Sequence, residues 1–236
     1  MNPTEIDAVA ADARPPAVVS VEVPAPPDVV WRTLTEAEEL TRWFPLSTQV
    51  ASGVGSSVWL VWDEQAPWKM EIELWEPPRH LRWVEHKQDA RGRPVQLAAD
   101  FYLEAKGGAT VLRVVHSGFG RGAEWDEEYE GVRKGWGYEL RALRHYVRHH
   151  FGQDRTVAWA RVVTPLSAAE THRRVMGAGG LVQQGTVAGL VEGDPYRIVA
   201  ASGEPLEGTV VRHLPELEFS ATVDNWNRAL LRQMYW

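Results

Sequence analysis

The alternation of apolar and polar residues between positions 57 and 117 predicts an antiparallel β-sheet. Five segments with a period of two follow one another there: SSVWLVW, WKMEIELWE, HLRWVEH, VQLAADFYLEA and TVLRVVHS. Turn residues separate them, among them Pro77-Pro78 and Gly107-Gly108. Because alternate side chains of a strand point to opposite faces, one face of this sheet is expected to be apolar.

The predicted apolar face includes a histidine. In the last segment Leu112 and Val114 lie two positions apart, and His116 continues the series. The second segment contributes Met70, Ile72 and Leu74. His116 is therefore expected to point to the same side as the apolar residues.

A single apolar stripe after the sheet predicts a long helix. Its members are three or four positions apart, as on one face of a helix, and are Trp125, Tyr129, Val132, Trp136, Leu140, Leu143 and Val147. Gly131, Gly135 and Gly137 interrupt this helix, and each costs about 1 kcal/mol relative to alanine. We expect these glycines to make room for a close neighbour or a bound molecule.

The chain before the sheet is predicted to form a strand and two short helices. Residues 19–23 alternate as in a strand, and prolines at 24, 26 and 27 suit the first turn of a helix. Thr35 and Glu38 have the spacing of a capping box, which predicts a second helix through residues 40–44. Residues 1–16 are expected to be a disordered tail.

Composition and charge exclude several classes of function. The net charge of −7 has the wrong sign for binding the phosphates of nucleic acid. The absence of cysteine excludes disulfides, thiolate metal sites and a cysteine nucleophile, and fits the cytoplasm. The sequence shows no secretory signal pattern and no apolar run of about 18 residues, so no membrane span is predicted.

Residues 18–150 resemble an SRPBCC (START-like, helix-grip) domain of the branch homologous to activators of the heat-shock chaperone ATPase. The resemblance rests on VEVPAPPDVVWRTLTEAEELTRWF, WEPPRHLRWVEH, GGATVLRVVHSGF and the pair Gly135-Trp136. It implies an α+β helix-grip fold over residues 17–152, in which a curved antiparallel sheet wraps around a long C-terminal helix.

The resemblance also implies an apolar pocket between the sheet and the long helix. Its superfamily includes lipid carriers, polyketide cyclases and aromatases, stress-response ligand binders and chaperone cofactors, and no invariant catalytic residue comes with the fold. The residues that it implies as lining are Trp43, Trp59, Met70, Ile72, Trp83, Phe101, Leu103, Leu112, Val114, His116, Trp136 and Leu140.

His116 is the candidate for acid–base chemistry, since imidazole titrates near neutrality. Catalysis would require a partner such as Asp100 or Glu85. Neither has a sequence spacing from His116 that is typical of a catalytic pair. The sequence therefore favours a histidine that shapes the pocket, and binding of a small apolar or aromatic ligand without catalysis.

Two other functions stay open at this stage. A cyclase- or aromatase-like enzyme would use His116 as acid or base, and a carboxylate or hydroxyl beside the ring would favour it. A protein-interaction module would dock on a chaperone or a regulator, or on a second copy of the chain, through outward tryptophans.

No metal or cofactor is predicted. His145 and His149 lie four apart on the long helix, as in some metal sites, but the sequence supplies no third ligand. The chain also lacks a P-loop, a G-x-G-x-x-G fingerprint and a G-x-S-x-G elbow.

Residues 153–236 are predicted to form a smaller α+β unit that resembles a truncated second copy of the first. TVAWARVVTPLSAAETHRRVMG indicates a strand, a proline and then a helix, with a capping box from Ser167 to Glu170 and an end at Gly177. GTVVRHLPELEFSATVDNW repeats the pattern of MEIELWEPPRHLRWVEH. The last segment, RALLRQMYW, would be a strand by repeat logic, but its apolar spacing favours a short helix.

Overall fold

A computed structural model describes residues 13–62, 67–177 and 179–235, and the chain forms two compact units, Met1–Thr156 and Val157–Trp236. The strands of the first unit are β1 (Ala17–Val23), β2 (Ser47–Val50), β3 (Ser57–Val61), β4 (Trp68–Glu76), β5 (His80–Gln88), β6 (Pro94–Lys106) and β7 (Ala109–Ser117). Its helices are α1 (Pro27–Thr35), α2 (Ala37–Thr41) and α3 (Asp126–His149), and a 3₁₀ turn over Ala123–Trp125 leads into α3.

The seven strands form one strongly curled antiparallel sheet with the order β1-β7-β6-β5-β4-β3-β2. Strands β2 to β7 are a meander, and β1 pairs with β7, so the first strand and the last are neighbours. A curled sheet with a long helix confirms the predicted helix-grip architecture. Strand β2 was not predicted, because four residues are too few to show a period of two.

A bulge in β4 corrects one predicted face. The pairing of β4 with β5 shifts between Ile72 and Leu74. As a result Leu74 lies opposite Arg82, which pairs with acidic groups, and Trp75 lies opposite the buried Leu81. Met70 and Ile72 are buried as predicted, but Leu74 does not share their face, because an extra residue reverses the alternation.

The first short helix begins as the prolines predict, but the capping box predicted for the second is wrong. Pro27 is the first residue of α1, where its missing N–H costs nothing. The hydroxyl of Thr35 donates to the carbonyl of Trp31 at 2.8 Å instead of capping α2. Glu36 occupies the N-cap position without a side-chain hydrogen bond, and α2 ends at Thr41.

The predicted stripe of the long helix is the face that packs into the core. Trp136, Leu140 and Leu143 are fully buried with residues from the sheet and from α1. Trp125 is also buried, but it lies in the 3₁₀ turn before the helix. Helix α3 has 24 residues, yet neither it nor any other helix of the described residues is apolar enough along its length to span a membrane.

Residues 13–16 of the predicted tail are attached to the first unit. Ala13 forms a β-bridge with Gly120, and the backbone N–H of Arg14 donates to the carbonyl of Phe119 at 2.8 Å. The rest of the predicted tail, residues 1–12, lies outside the described residues.

The described residues of the second unit form one α-helix, a 3₁₀ turn over Asp224–Trp226 and a five-stranded antiparallel sheet. Its elements are α4 (Ala168–Met176), β8 (Val182–Gln184), β9 (Pro195–Ala200), β10 (Pro205–Leu214), β11 (Glu218–Val223) and β12 (Ala229–Met234). The strands follow one another in the sheet in the order β12-β11-β10-β9-β8. A separate apolar core, which includes Phe219 and Ile198, holds this unit together.

Two elements of the second unit differ from prediction, and one agrees. Residues 157–163 are exposed and lie outside any strand, because no neighbouring strand pairs with them. The last segment is strand β12 rather than a helix, since pairing with β11 prevails over its apolar spacing. The cap of α4 is confirmed, with the Ser167 hydroxyl accepting from the Glu170 N–H at 3.2 Å and Gly177 at the end. The internal duplication stays a prediction.

A buried carboxylate joins α2 to the end of α3. Glu39 accepts hydrogen bonds from the Tyr146 hydroxyl at 2.6 Å and from Arg42 at 2.7 Å. The Gly152 N–H donates to the same tyrosine oxygen at 2.8 Å. Burial, together with the neighbouring Glu39, raises the pKa of Tyr146 to about 12.

We expect Tyr146→Phe to lower the free energy of unfolding of the first unit by about 1–3 kcal/mol, because the buried carboxylate loses a donor. Urea unfolding followed by tryptophan fluorescence measures this, since nine of the twelve tryptophans lie before residue 150. The protonated phenol is favoured in the folded state, so its contribution is complete below pH 10 and is lost as the pH rises to about 12. Because Tyr146→Phe has no phenol to deprotonate, its free energy of unfolding should not show this loss as the pH rises.

The control is Tyr102→Phe, which removes the hydroxyl of a half-buried tyrosine whose ring stacks on His80. Equal unfolding midpoints for the two variants would contradict the role given to the Tyr146 hydroxyl.

Candidate ligand-binding site

His116 belongs to a row of buried side chains that crosses the sheet. Along this row Ile72 lies opposite Trp83, Trp83 opposite Ala99, Ala99 opposite His116, and His116 opposite Ala17. Residues directly opposite in antiparallel strands have their side chains on the same face. The small side chain of Ala99 is therefore flanked by two large rings, those of Trp83 and His116.

The surroundings of His116 are aromatic. Its ring is 1% exposed, lies parallel to the ring of Trp68 with centroids 6.2 Å apart, and lies 5.2 Å from the ring of Phe119. Burial lowers the pKa of His116 to about 4, and the charge of Asp100 opposes this shift only in part. The ring is therefore neutral near pH 7.

One hydrogen bond fixes the tautomer of this neutral ring. The indole N–H of Trp136, on α3, donates to Nδ1 of His116 at 3.0 Å. Nδ1 is thus the acceptor, and the proton of the neutral imidazole is on Nε2. Within the described residues Trp136 is the hydrogen-bond partner of the ring, and Nε2–H has no acceptor.

The carboxylates considered as partners of His116 are not bonded to it. Asp100 lies on the opposite face of β6, where its oxygens are 2.8 Å from Nε2 of His80 and 2.9 Å from Nη1 of Arg82. Glu85 lies opposite Leu97 at another level of the sheet, and the described residues show no hydrogen bond between it and His116.

Rings from four elements and three connecting segments lie in and around the row, and we call them the aromatic cluster. Phe101 meets both Trp83 and Trp136 edge to face, with centroids 4.6 and 5.3 Å apart. Phe44 lies 5.5 Å from Trp136 and 5.1 Å from Trp62. The aromatic cluster comprises Trp43, Phe44, Trp62, Trp68, Trp83, Phe101, Phe119 and Trp136.

Four of these rings were predicted from the sequence, and four were missed. Trp62 and Trp68 could have been found, since counting in twos from Leu60 or Met70 places them on the apolar face. No period indicates Phe44, which follows α2 in a turn.

Phe119 reaches His116 because of the glycine before it. Gly118 has a φ of +101°, and a Cβ at this position would collide with the backbone carbonyl of Gln96. Only glycine allows this close approach of the chain to β6. The reversal brings the Phe119 ring back beside His116.

The other predicted lining residues are in the same core, with one exception. Met70, Ile72, Leu103, Leu112, Val114 and Leu140 are buried in it. Trp59 is 37% exposed, with the ammonium of Lys69 4.8 Å from its ring centroid, and the structure does not bring it to this side. The reason is the alternation of β3, in which Val58 and Leu60 point inward.

The buried indole N–H groups of the aromatic cluster differ in whether they have a hydrogen-bond acceptor. Trp43 donates to the carbonyl of Thr33 at 2.9 Å, and Trp136 donates to His116. The N–H of Trp83, which is 1% exposed, has no acceptor among the described residues. A buried donor left without an acceptor costs about 1–3 kcal/mol.

Open space lies beside two glycines of α3. A Cβ built on Gly131 or Gly135 would meet no described atom within 4 Å. These glycines therefore do not serve close packing of a neighbouring segment, and room for a bound molecule stays a prediction.

The rings of His145 and His149 lie 5.0 Å apart. The described parts of the chain contain no group of three or more His, Cys, Asp or Glu side chains arranged to hold a metal ion.

A family comparison agrees with the resemblance inferred from the sequence. The family described as Activator of Hsp90 ATPase homolog 1-like protein matches residues 24–148, more than half of the 236-residue chain. No curated protein sequence matches the chain.

Solved structures similar to the chain show the same fold. The Aha1 dimer from Colwellia psychrerythraea, solved in solution, is 17% identical over 58% of this chain and 98% of its own, with a TM-score of 0.50. The crystal structure of DynU16, from the dynemicin biosynthetic locus, is 21% identical over 89% of this chain and 76% of its own, with a TM-score of 0.51. Since the first unit spans 156 of 236 residues, the DynU16 match extends into the second. Protein MLL2253 from Mesorhizobium loti is 24% identical over 56% and 98%, with a TM-score of 0.49.

We expect the stability of the first unit to fall by about 3 kcal/mol as the pH falls from 6.5 to 4, through His116 alone. The pKa of His116 is about 4 in the folded chain against 6.5 for an unburied histidine, so between these values the unfolded chain takes up the proton first. His116→Gln, whose amide oxygen can still accept from Trp136, should lack this contribution. Urea midpoints at pH 7, 5.5 and 4 measure it.

His86→Gln, which changes an exposed histidine of β5, is the matched control and should behave as the unchanged protein does. If His116→Gln loses as much stability on acidification as the unchanged protein, His116 is not the group responsible.

Proposed function

The chain belongs to the family of Activator of Hsp90 ATPase homolog 1-like proteins, and on this premise we propose that it binds a small apolar or aromatic molecule. The observation that carries the proposal is the row in which Ala99 lies between Trp83 and His116, inside the aromatic cluster. The molecule would lie over Ala99, between the sheet and α3.

The size of the side chains in this row supports the location. The flanking rings of Trp83 and His116 rise from the sheet much further than the single methyl group of Ala99. Opposite the sheet, α3 brings Trp136 to His116.

The chemistry of the side chains supports an apolar guest. Ligand pockets are mostly lined by hydrophobic and aromatic side chains, with a few polar groups that fix orientation. The aromatic cluster supplies such a lining, and His116 and the N–H of Trp83 are the polar groups. Burial of an apolar guest would provide about 25 cal/mol per Å² of surface removed from water.

The state of His116 favours binding over catalysis. With a pKa of about 4, only about one ring in a thousand carries the extra proton at pH 7, so His116 is a poor general acid there. In the neutral ring Nδ1 already accepts from Trp136 and Nε2 carries the proton, so neither nitrogen offers a free lone pair to a substrate. Proton transfer by His116 would first require this hydrogen bond to break.

We expect Ala99→Leu to weaken binding, because the larger side chain fills the space between Trp83 and His116. N-phenyl-1-naphthylamine, a neutral apolar dye, should bind the unchanged protein with a gain in fluorescence, and Ala99→Leu should weaken this binding at least about tenfold. Native mass spectrometry of gently purified protein should show a co-purified small molecule in the unchanged chain only.

The matched control is Ala105→Leu, the same change at an exposed position of β6, which should bind as the unchanged protein does. Circular dichroism and the unfolding midpoint verify the fold of each variant, and Ala99→Val serves as the milder change if the leucine variant does not fold. Equal dye binding by folded Ala99 variants and the unchanged protein would refute this location.

A chaperone-cofactor role is a second candidate, favoured by the family match itself. In that case the chain should raise the rate of ATP hydrolysis by Hsp90 in a dose-dependent way, measured with a steady-state phosphate-release assay. An unchanged rate at a molar excess of the chain would refute this candidate and would leave the ligand proposal intact.

A further inference from the structure

We propose that the molecule bound over Ala99 is an aromatic compound with uncharged acceptor oxygens, of the aryl ketone or diketone class, which receives hydrogen bonds from Trp83 and His116. The inference rests on the proposed function and gives the class of ligand for the same site.

The first donor is the indole N–H of Trp83. The N–H groups of Trp43 and Trp136 already have acceptors within the fold, at 2.9 and 3.0 Å. Trp83 is as deeply buried as they are, and its N–H has no acceptor among the described residues. Buried polar groups in folded proteins are nearly always hydrogen-bonded. An acceptor atom of a ligand would satisfy this group.

The second donor is Nε2–H of His116. Because Nδ1 accepts from Trp136, the neutral ring can present only a donor on its other nitrogen. The hydrogen bond from α3 therefore decides what His116 offers to a ligand: an N–H and no lone pair. The polar groups of Trp83 and His116 are thus both hydrogen-bond donors toward a ligand.

The two donors also limit the charge of the ligand. No lysine or arginine is among the buried residues of the described parts of the chain. Burial of a carboxylate or phosphate without a cation is costly, whereas a carbonyl oxygen accepts from an N–H without carrying a net charge. The donors therefore favour a ketone or quinone oxygen over an anion.

The spacing of the donors indicates where the acceptors lie on the ligand. Trp83 and His116 are on strands β5 and β7, with β6 between them, so their backbones are about 10 Å apart across the sheet. A flat ring over Ala99 would have one edge toward each donor. Two acceptors at opposite ends of one ring match this arrangement better than two on adjacent atoms.

The test compares two molecules of the same outline, 1,4-diacetylbenzene and 1,4-diethylbenzene. The first has two ketone oxygens at opposite ends of the ring, and the second has none. Isothermal titration calorimetry of the unchanged protein should show binding of both, with the diketone tighter by about tenfold or more, as two added hydrogen bonds imply. Trp83→Phe should bind the hydrocarbon as before and lose most of the preference for the diketone.

Trp59→Phe, which changes an exposed tryptophan on the other face of the sheet, is the matched control and should keep the preference. If Trp83→Phe does not fold, the role of Trp83 can still be tested in the unchanged protein. In a ¹H–¹⁵N spectrum the indole N–H signal of Trp83 should move downfield with the diketone and not with the hydrocarbon.

The outcomes separate this inference from the proposed function. Binding of both molecules with equal affinity would overturn the ligand class and leave the apolar site intact. Binding of neither would overturn both proposals. A preference that survives in folded Trp83→Phe, together with an unmoved indole signal, would overturn the role of Trp83.

Discussion

The hydrogen bond from Trp136 to His116 links the long helix to the sheet and determines the chemistry of the candidate site. It joins the long helix to the last strand of the sheet in a place otherwise occupied by aromatic rings. Because the bond is buried, neither partner can exchange it for water, and each fixes the orientation of the other. This interaction therefore fixes the tautomer of His116 and contributes to the position of α3 along the sheet.

Strand alternation keeps the charged groups of the first unit away from this contact. On β6, Ala99 and Phe101 point to the aromatic cluster, while Asp100 between them points to His80 and Arg82. A carboxylate one residue away from the site is thus neutralised on the other face. Its charge affects the pKa of His116 less than burial does, and the aromatic side stays free of ions.

The sequence was sufficient for those parts of the fold that follow a local period. The strands β3 to β7 and the stripe of α3 have such a period, and His116 could be placed on the apolar face from it. What the sequence could not supply came from contacts between distant residues. The bulge after Ile72, the reversal at Gly118 that brings in Phe119, and the pairing that makes β12 a strand all depend on a neighbouring strand. The donor role of His116 likewise required the position of Trp136, twenty residues later.

The segment 157–163 has a consequence for handling the protein. It is exposed, belongs to no helix or strand, and contains Arg161, a cleavage site for trypsin. Proteases cut most readily where the backbone is exposed and outside regular structure. Brief digestion should therefore cut the chain at this segment before it attacks the curled sheet, and the N-terminal product of the cut contains the whole aromatic cluster.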